Sequence, residues 1–392
     1  MHVLVLPSWY KTTKDNIVGS FFEEQARAII SAGIKVGIFY PSIDLDYRLS
    51  AQEPLRETMD FIDNGLPTYS CSVRSIVPRS RALNYKFLQT SSVNHFKKYC
   101  SDYGTPDLIH AHCVFSAGIV ANHFFKNFNI PYIITEHYTG LIISNISKYA
   151  FNRKIIRKVY SESVSNIVVS NSFSSDLCSK YDLPHDTFHV LPNMVNSLFF
   201  REAGRLCESA ETGEFRIFTN SLLTEKKNHR LLLSSFSEAL KVFPRLKLVI
   251  GGDGELKRDL MLFTGELGVE ENVCFLGVLT REEVRRQILK SDLFVSTSSY
   301  ETFGIAIAEA LACGKPVVAT NSGGPADILT PSDGILVQRH TVKDVADAII
   351  YMIQNIKDYN PDDISLRCKE RFGEKNVIDQ LVAMYNTCLE IK

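Results

Sequence analysis

Two glutamates eight residues apart, Glu301 and Glu309, sit in the most informative stretch of the chain, Ser298-Ser299-Tyr300-Glu301-Thr302-Phe303-Gly304-Ile305-Ala306-Ile307-Ala308-Glu309-Ala310-Leu311-Ala312-Cys313-Gly314-Lys315-Pro316. The run Leu293–Thr297 reads as a strand. A polar loop follows it, and a helix of small apolar residues begins near Phe303-Gly304. Unpaired backbone N–H groups and the positive end of the dipole make such a helix start a place for an anion. Glu309 lies inside the same helix, where a carboxylate is costly unless donors satisfy it. Ligand hydroxyls and a structural partner elsewhere in the chain both meet that need. His112 and His137 each close a strand-like run and precede a loop, which favours a site over a place in the core.

The elements that must hold these residues are short runs rich in β-branched residues, alternating with helix-length amphipathic segments. They are Val3–Leu6, Val36–Phe39, Leu108–Ala111, Tyr132–Thr135, Ile167–Ser170, Arg216–Thr219, Leu246–Ile250, Val273–Leu276, Leu293–Ser296 and Pro316–Ala319. That alternation predicts parallel sheets covered by helices. The pattern restarts after Leu191-Pro192-Asn193, and Glu202–Gly213 is polar and strand-poor. Two α/β domains with a cleft between them are expected, at residues 1–195 and 196–370, with ligands at the carboxyl ends of the strands. The last segment, 371–392, is expected to cross back onto the first domain.

The 392 residues are 45% hydrophobic and 22% charged with a net charge of −1, which excludes disordered and fibrous classes. No apolar run reaches the roughly 18–20 residues of a membrane span. The N-terminus runs straight into a strand without a basic leader, so a cytoplasmic location is expected. Nine cysteines without a C-x-x-C pair argue against a disulfide framework or a zinc knuckle. Charge is uneven only locally. No acid falls between Asp63 and Asp102, where Arg74, Arg79, Arg81, Lys86, Lys97 and Lys98 lie. A second acid-free run, between Glu136 and Glu162, holds Lys148, Arg153, Lys154, Arg157 and Lys158 among Tyr149, Phe151, Ile155, Ile156 and Tyr160. It reads as a basic amphipathic helix, suited to an anionic membrane surface, to an anionic substrate, or to an ordinary solvated face.

The spacing E-x7-E, followed by Ala-Leu-Ala-Cys-Gly-Lys-Pro-Val-Val-Ala-Thr and Gly323-Gly324, resembles the family 4 retaining glycosyltransferases of GT-B fold. The resemblance extends through Leu223-Thr224-Glu225-Lys226-Lys227-Asn228-His229, Gly251-Gly252-Asp253-Gly254, Val273-Cys274-Phe275-Leu276-Gly277 and Leu191-Pro192-Asn193. In the first half it includes Gly19-Ser20-Phe21, Asp107-Leu108-Ile109-His110-Ala111-His112 and Thr135-Glu136-His137.

The resemblance implies two Rossmann-like domains and a nucleotide-diphosphate sugar as donor, with no separate cofactor and no metal. Glu309 would bind the ribose hydroxyls, and Glu301 the donor sugar. The backbone of Phe303, Gly304 and Ile305 would meet the sugar and diphosphate. Lys227 matches the family lysine that neutralises the leaving diphosphate, and Gly19 the glycine that lets backbone approach it. His137 matches the histidine near the reacting carbon, with His112 as a second candidate. The family arginine before the lysine is absent: the chain reads Ser221-Leu222-Leu223, which leaves Lys227 alone or aided by Lys226. Asp327 stands where the family often has Glu, and it receives no role.

The implied activity is a retaining, metal-independent transfer of a sugar, a UDP-sugar foremost and GDP-mannose next, to a glycan or lipid-linked acceptor, in the setting of bacterial surface polysaccharide assembly. The basic runs of the first half suit an acceptor held at an anionic membrane, at the inner face of the cytoplasmic membrane. The leaving phosphate would itself help deprotonate the acceptor. An epimerase of the same fold and a non-catalytic nucleotide- or glycan-binding protein are the competing readings. A dinucleotide-dependent dehydrogenase is disfavoured because no G-x-G-x-x-G follows the first strand. Nucleic-acid binding is disfavoured by the near-zero net charge.

Overall fold

The computed structural model of the chain describes residues 1–10, 19–44, 55–75, 80–144, 150–201 and 213–390. Arg79, Lys148 and Tyr149 of the basic runs, Cys207, and 202–212 of the polar stretch lie outside these residues. Packing divides the chain into two compact units. Unit 1 comprises Met1–Val169, Ser174–Leu191 and Ile378–Lys392, and unit 2 comprises Ser170–Phe173 and Pro192–Val377.

Unit 1 is built on strands β1 (His2–Leu6), β2 (Lys35–Asp44), β3 (Arg56–Asp63), β4 (Leu66–Arg74), β5 (Leu108–His112), β6 (Tyr132–Glu136), β7 (Ser165–Val168) and β8 (His189–Val190). They form one sheet in the order β3-β4-β2-β1-β5-β6-β7-β8, parallel throughout except for β3 against β4. Every residue of β1, β5 and β6 is buried, as in strands covered by helices on both faces. This is why Val3–Leu6 reads as a continuous apolar run, while β5 and β6 also bury His110, His112, Thr135 and Glu136.

Unit 2 carries an all-parallel sheet of β9 (Phe215–Asn220), β10 (Leu246–Gly251), β11 (Val273–Gly277), β12 (Leu293–Ser296), β13 (Val317–Thr320) and β14 (Gly334–Val337), in the order β11-β10-β9-β12-β13-β14. Its core gathers Leu232, Leu233 and Phe236 of helix His229–Val242, Ile349 and Met352 of helix Val342–Asn355, and Leu248, Ile250 and Val295 of the sheet. The two Rossmann-like α/β sheets agree with the expected fold class. So does the last helix, Glu374–Glu390, most of which belongs to unit 1. The strand order reverses between β1 and β5 in unit 1 and between β9 and β12 in unit 2. Open α/β sheets bind ligands beyond the carboxyl ends of the strands at such points.

Four strands escaped the sequence pattern: β3, β4, β8 and β14. β3 is mostly exposed and mixes charges with apolar residues, so no buried face marks it. The available signal was Asn64-Gly65, both at positive φ (47° and 88°), the pair that a two-residue hairpin turn requires.

The second basic run forms helix Ala150–Ser161, whose Ile156, Val159 and Tyr160 are buried in unit 1. Its apolar face is therefore taken up by the core. Arg153 pairs with Asp182, and Lys154, Arg157 and Lys158 remain exposed. Among the described residues no helix is long and apolar enough to cross a membrane.

Gly19 precedes helix Ser20–Ser31 at φ 78°, and a Cβ there would lie 2.8 Å from Trp9 O and 2.9 Å from Tyr10 Cα. Both neighbours are backbone and cannot swing away. Gly19→Ala is expected to cost about 2–4 kcal/mol, combining left-handed strain with overpacking. Urea unfolding measures it; an unchanged midpoint would mean the helix start tolerates a side chain.

Candidate functional site

In unit 2 the chemistry-bearing residues emerge from the carboxyl ends of the parallel strands. Lys227 follows β9 and Glu301 follows β12, the two strands at the reversal point. Their side chains form an ion pair, each about one-sixth exposed (17% and 15%). Ser298 Oγ donates to the same glutamate oxygen at 2.7 Å. The two loops are stitched by backbone as well: Ser299 N donates to Lys226 O at 2.8 Å, and Thr297 Oγ1 to Asn228 O at 3.0 Å. Glu301 N in turn donates to Ser322 O at 2.8 Å, which brings in the loop after β13.

Glu309 is 2% exposed, within helix Ile305–Ala312. Arg281 Nη1 lies 2.5 Å from its Oε1, and the guanidinium also covers the Phe199 ring at 4.7 Å. Arg281 is the first residue of helix Arg281–Lys290, whose start is fixed by a reciprocal bond set between Thr280 and Glu283. The structural partner that Glu309 needs is therefore present in the chain, 28 residues upstream. Gly304, at φ 108°, caps the helix start. Phe303 turns its ring inward against Phe372 (centroids 5.6 Å), which leaves its backbone to the loop, and Ile305 is 37% exposed. Leu222, in the place of the family arginine, is 62% exposed. Lys226 is half-buried, and burial followed by the neighbouring Lys227 charge lowers its pKa. Asp327 accepts from Asn171 N at 2.5 Å.

In unit 1, β5 and β6 deliver three histidines. His112 Nδ1 and His137 Nε2 are 3.0 Å apart, with the rings nearly parallel. His110 is fully buried and bonded to Tyr385 Oη through Nδ1 and to Thr135 Oγ1 through Nε2, both at 2.7 Å. Nε2 of the buried His112 has no hydrogen-bond partner among the described residues. The proton between the rings can be supplied by His112 Nδ1 or by His137 Nε2. Phe21 and Phe22 meet the histidine rings edge-on, at 5.0 Å from His137 and 4.8 Å from His112. Burial pushes the pKa of His137 and His110 down to about 3 and that of His112 well below the usual value. His137 is therefore neutral near pH 7.

Glu136, quoted in the sequence pattern without a role, organises this region. Its Oε1 accepts from His137 N and Tyr138 N at 3.0 and 2.9 Å, and its Oε2 from Val114 N and Tyr160 Oη at 2.8 Å each. Sequence reasoning also missed Arg281 and Tyr385, because nothing in local spacing links them to Glu309 or His110. No described group of three or more His, Cys, Asp or Glu side chains is arranged to hold a metal ion. The chain contains one D-x-D spacing, Asp44-Leu45-Asp46; Asp44 ends β2, and Asp46 lies outside the described residues.

Two outcomes follow from these geometries. Unfolded histidines titrate near 6.5 and the folded ones near 3, so the unfolded state binds more protons in between. Stability is full above about pH 6.5 and falls on acidification by about 1.4 kcal/mol per pH unit for each such histidine. Urea midpoints compared at about pH 7.5 and about pH 5.5 test this; equal midpoints would show that the imidazoles protonate in place. Glu136→Gln sets an amide N–H against donors it cannot accept from, and is expected to cost about 1–3 kcal/mol. A thermal unfolding curve identical to wild type would contradict the four-donor arrangement.

The family model of Glycosyltransferase Family 4 matches residues 18–197, and that of Glycosyl transferases group 1 matches residues 208–361. An uncharacterized glycosyltransferase of Methanocaldococcus jannaschii is 27% identical over 303 residues, 73% of this chain and 76% of that protein. One component of the phosphatidylinositol N-acetylglucosaminyltransferase of Arabidopsis thaliana is 26% identical over 224 residues, 57% of this chain and only about half (49%) of that protein's length. Anabaena HepE, solved in complex with UDP, aligns with a TM-score of 0.75 at 18% identity over 99% of this chain and 100% of that one. At such identity the likeness is one of fold. With both halves matched by glycosyltransferase models and the E-x7-E residues set at the edge of a doubly wound sheet, the chain belongs to the family 4 glycosyltransferases of GT-B fold.

Proposed function

We propose that the chain transfers a sugar from a nucleotide-diphosphate sugar, a UDP-sugar foremost, to a hydroxyl of a glycan or lipid-linked acceptor, with retention of configuration and without a metal. Unit 2 holds the donor in this reading, and unit 1 the acceptor. The observation that carries it is the placement of both glutamates of the E-x7-E pattern beyond the carboxyl ends of the strands, each engaged by a cation, Lys227 or Arg281. The complex of HepE with UDP favours uridine as the base, and the phosphatidylinositol-directed Arabidopsis relative favours a lipid-linked acceptor.

The chemistry asks for little beyond these groups. Cleavage of a glycosyl–diphosphate bond builds positive charge on the sugar and negative charge on the leaving group, and preorganised charges stabilise both. Lys227 and the start of helix Ile305–Ala312 face the developing phosphate charge. Glu301, released from Lys227 when the diphosphate takes over the lysine, accepts from the sugar hydroxyls. Glu309, held in its orientation by Arg281, accepts from the ribose. Neutral His137 hydrogen-bonds the sugar near the reacting carbon. The leaving phosphate takes the acceptor proton, so no side chain serves as nucleophile. Retention of configuration and a setting in bacterial surface polysaccharide assembly belong to this same reading.

Calorimetric titration with UDP, GDP, ADP and CMP tests the donor site. One diphosphate, UDP, is expected to bind selectively. Glu309→Ala should weaken it by about 1.5–3 kcal/mol, the usual contribution of hydrogen bonds to a charged group. Lys227→Ala should narrow the preference for UDP over uridine. A folded Glu309→Ala variant with wild-type affinity would leave Glu309 as no more than the partner of Arg281, and the ribose role would fall.

A further inference from the structure

A cavity of about 330 Å³ opens in unit 1 at the reversal point between β1 and β5. Its lining includes Trp9, Tyr85, Phe115 and Tyr138, with the exposed Arg81 and the buried Asn84 as polar members. Among the described residues none of the lining is acidic. The volume is at the lower end of ordinary ligand pockets, about 300–1,000 Å³, and suits one sugar ring better than an oligosaccharide.

The aromatic walls offer flat apolar faces with negative quadrupoles, a surface onto which the C–H face of a pyranose packs. The Tyr85 and Phe115 rings are nearly parallel, 8° apart with centroids at 6.0 Å, and Trp9 stands 6.3 Å from Tyr138. The polar side is cationic. Arg81 is exposed, has no ion-pair or hydrogen-bond partner among the described residues, and is the first residue of the 23-residue helix Arg81–Tyr103. No acid lies in the first turn of that helix, nor anywhere in sequence between Asp63 and Asp102, so its positive end keeps its charge. The wall itself is held in costly backbone: Cys113 and Ser116 have φ of 70° and 54°. Ser8 Oγ ties that segment down, 2.6 Å from His112 O and 2.5 Å from Phe115 O. Burial keeps the Tyr85 phenol protonated, so no negative charge develops there.

We propose that this cavity binds an anionic saccharide, a sugar ring stacked on Trp9 and Tyr138 with a phosphate held by Arg81 and the start of helix Arg81–Tyr103. On the transfer reading above, this names the acceptor as a glycosyl phosphate, free or attached through its phosphate to a lipid. Binding itself does not depend on that reading.

Trp9 is the chain's single tryptophan, so its fluorescence reports this cavity alone. The protein is titrated with α-D-glucose 1-phosphate, methyl α-D-glucoside and inorganic phosphate, and with glucose joined through phosphate to a decyl chain. The sugar phosphate is expected to shift Trp9 emission and to bind at least about 10-fold tighter than either the neutral glucoside or phosphate. Arg81→Ala should remove that preference and Arg81→Lys restore part of it, while Lys227→Ala and Glu309→Ala leave it intact. Tighter binding of the decyl form supports the site with a lipid-linked source, and equal binding supports it with a soluble one. Wild-type affinity in Arg81→Ala, equal binding of glucoside and sugar phosphate, or equal binding of phosphate and sugar phosphate would each overturn the proposal. UDP calorimetry on the same samples separates the two readings. Absence of UDP binding to the wild-type protein, with its sugar-phosphate preference intact, defeats the donor assignment alone, and UDP binding without a sugar-phosphate preference defeats the cavity alone.

Discussion

A carboxylate withdrawn from water must be given donors or a counter-charge, and the loops of both units are arranged around that requirement. Glu136 draws four donors to itself, from the segment after β5, the segment after β6 and helix Ala150–Ser161. Glu301 joins the loop after β12 to Lys227 after β9, and Glu309 joins helix Ile305–Ala312 to Arg281 beyond β11. Three buried or nearly buried acids thus fix the endings of five strands. Removing a partner from any of them leaves a charge stranded, which costs more than the pair contributes when intact.

The same pairing sets the electrostatics of the unliganded protein. Lys227 and Arg281 are neutralised within the fold before any anion arrives, so on the proposed reading a diphosphate would have to exchange partners with Glu301 to reach the lysine. A site of this kind gives up part of its affinity and gains discrimination, because only a ligand that satisfies both the freed acid and the lysine recovers the cost. The exposed Leu222 removes one cation from this arrangement, and the half-buried Lys226, with its lowered pKa, stands next to Lys227.

Much of the fold was legible because buried parallel strands cannot hide their composition: the ten β-branched runs coincide with strands of the two sheets to within a few residues. The hairpin β3–β4 was not legible, since an exposed edge strand has no apolar face to betray it, and only Asn64-Gly65 announced the turn. Among the candidate residues, Glu301 and Glu309 of unit 2 and His112 and His137 of unit 1 were marked in the sequence by type and by their place at or after strand ends, and Lys227 by the resemblance. Arg281 and Tyr385 could not. Their partners are 28 and 275 residues away, and such distances are closed by topology alone. Asp327 shows the same limit, for its partner Asn171 lies 156 residues distant.

The bond between His110 and Tyr385 has a consequence for the order of synthesis. His110 lies in the fifth strand of a unit whose main body ends at Leu191, yet its Nδ1 partner arrives with Ile378–Lys392. At about 5–20 residues per second, a ribosome needs roughly 10–40 s to pass from one to the other. During that interval the nascent sheet holds a buried imidazole with half its hydrogen bonding missing. The first unit to emerge is therefore the last to be finished, and its completion is timed by the translation of everything that lies between.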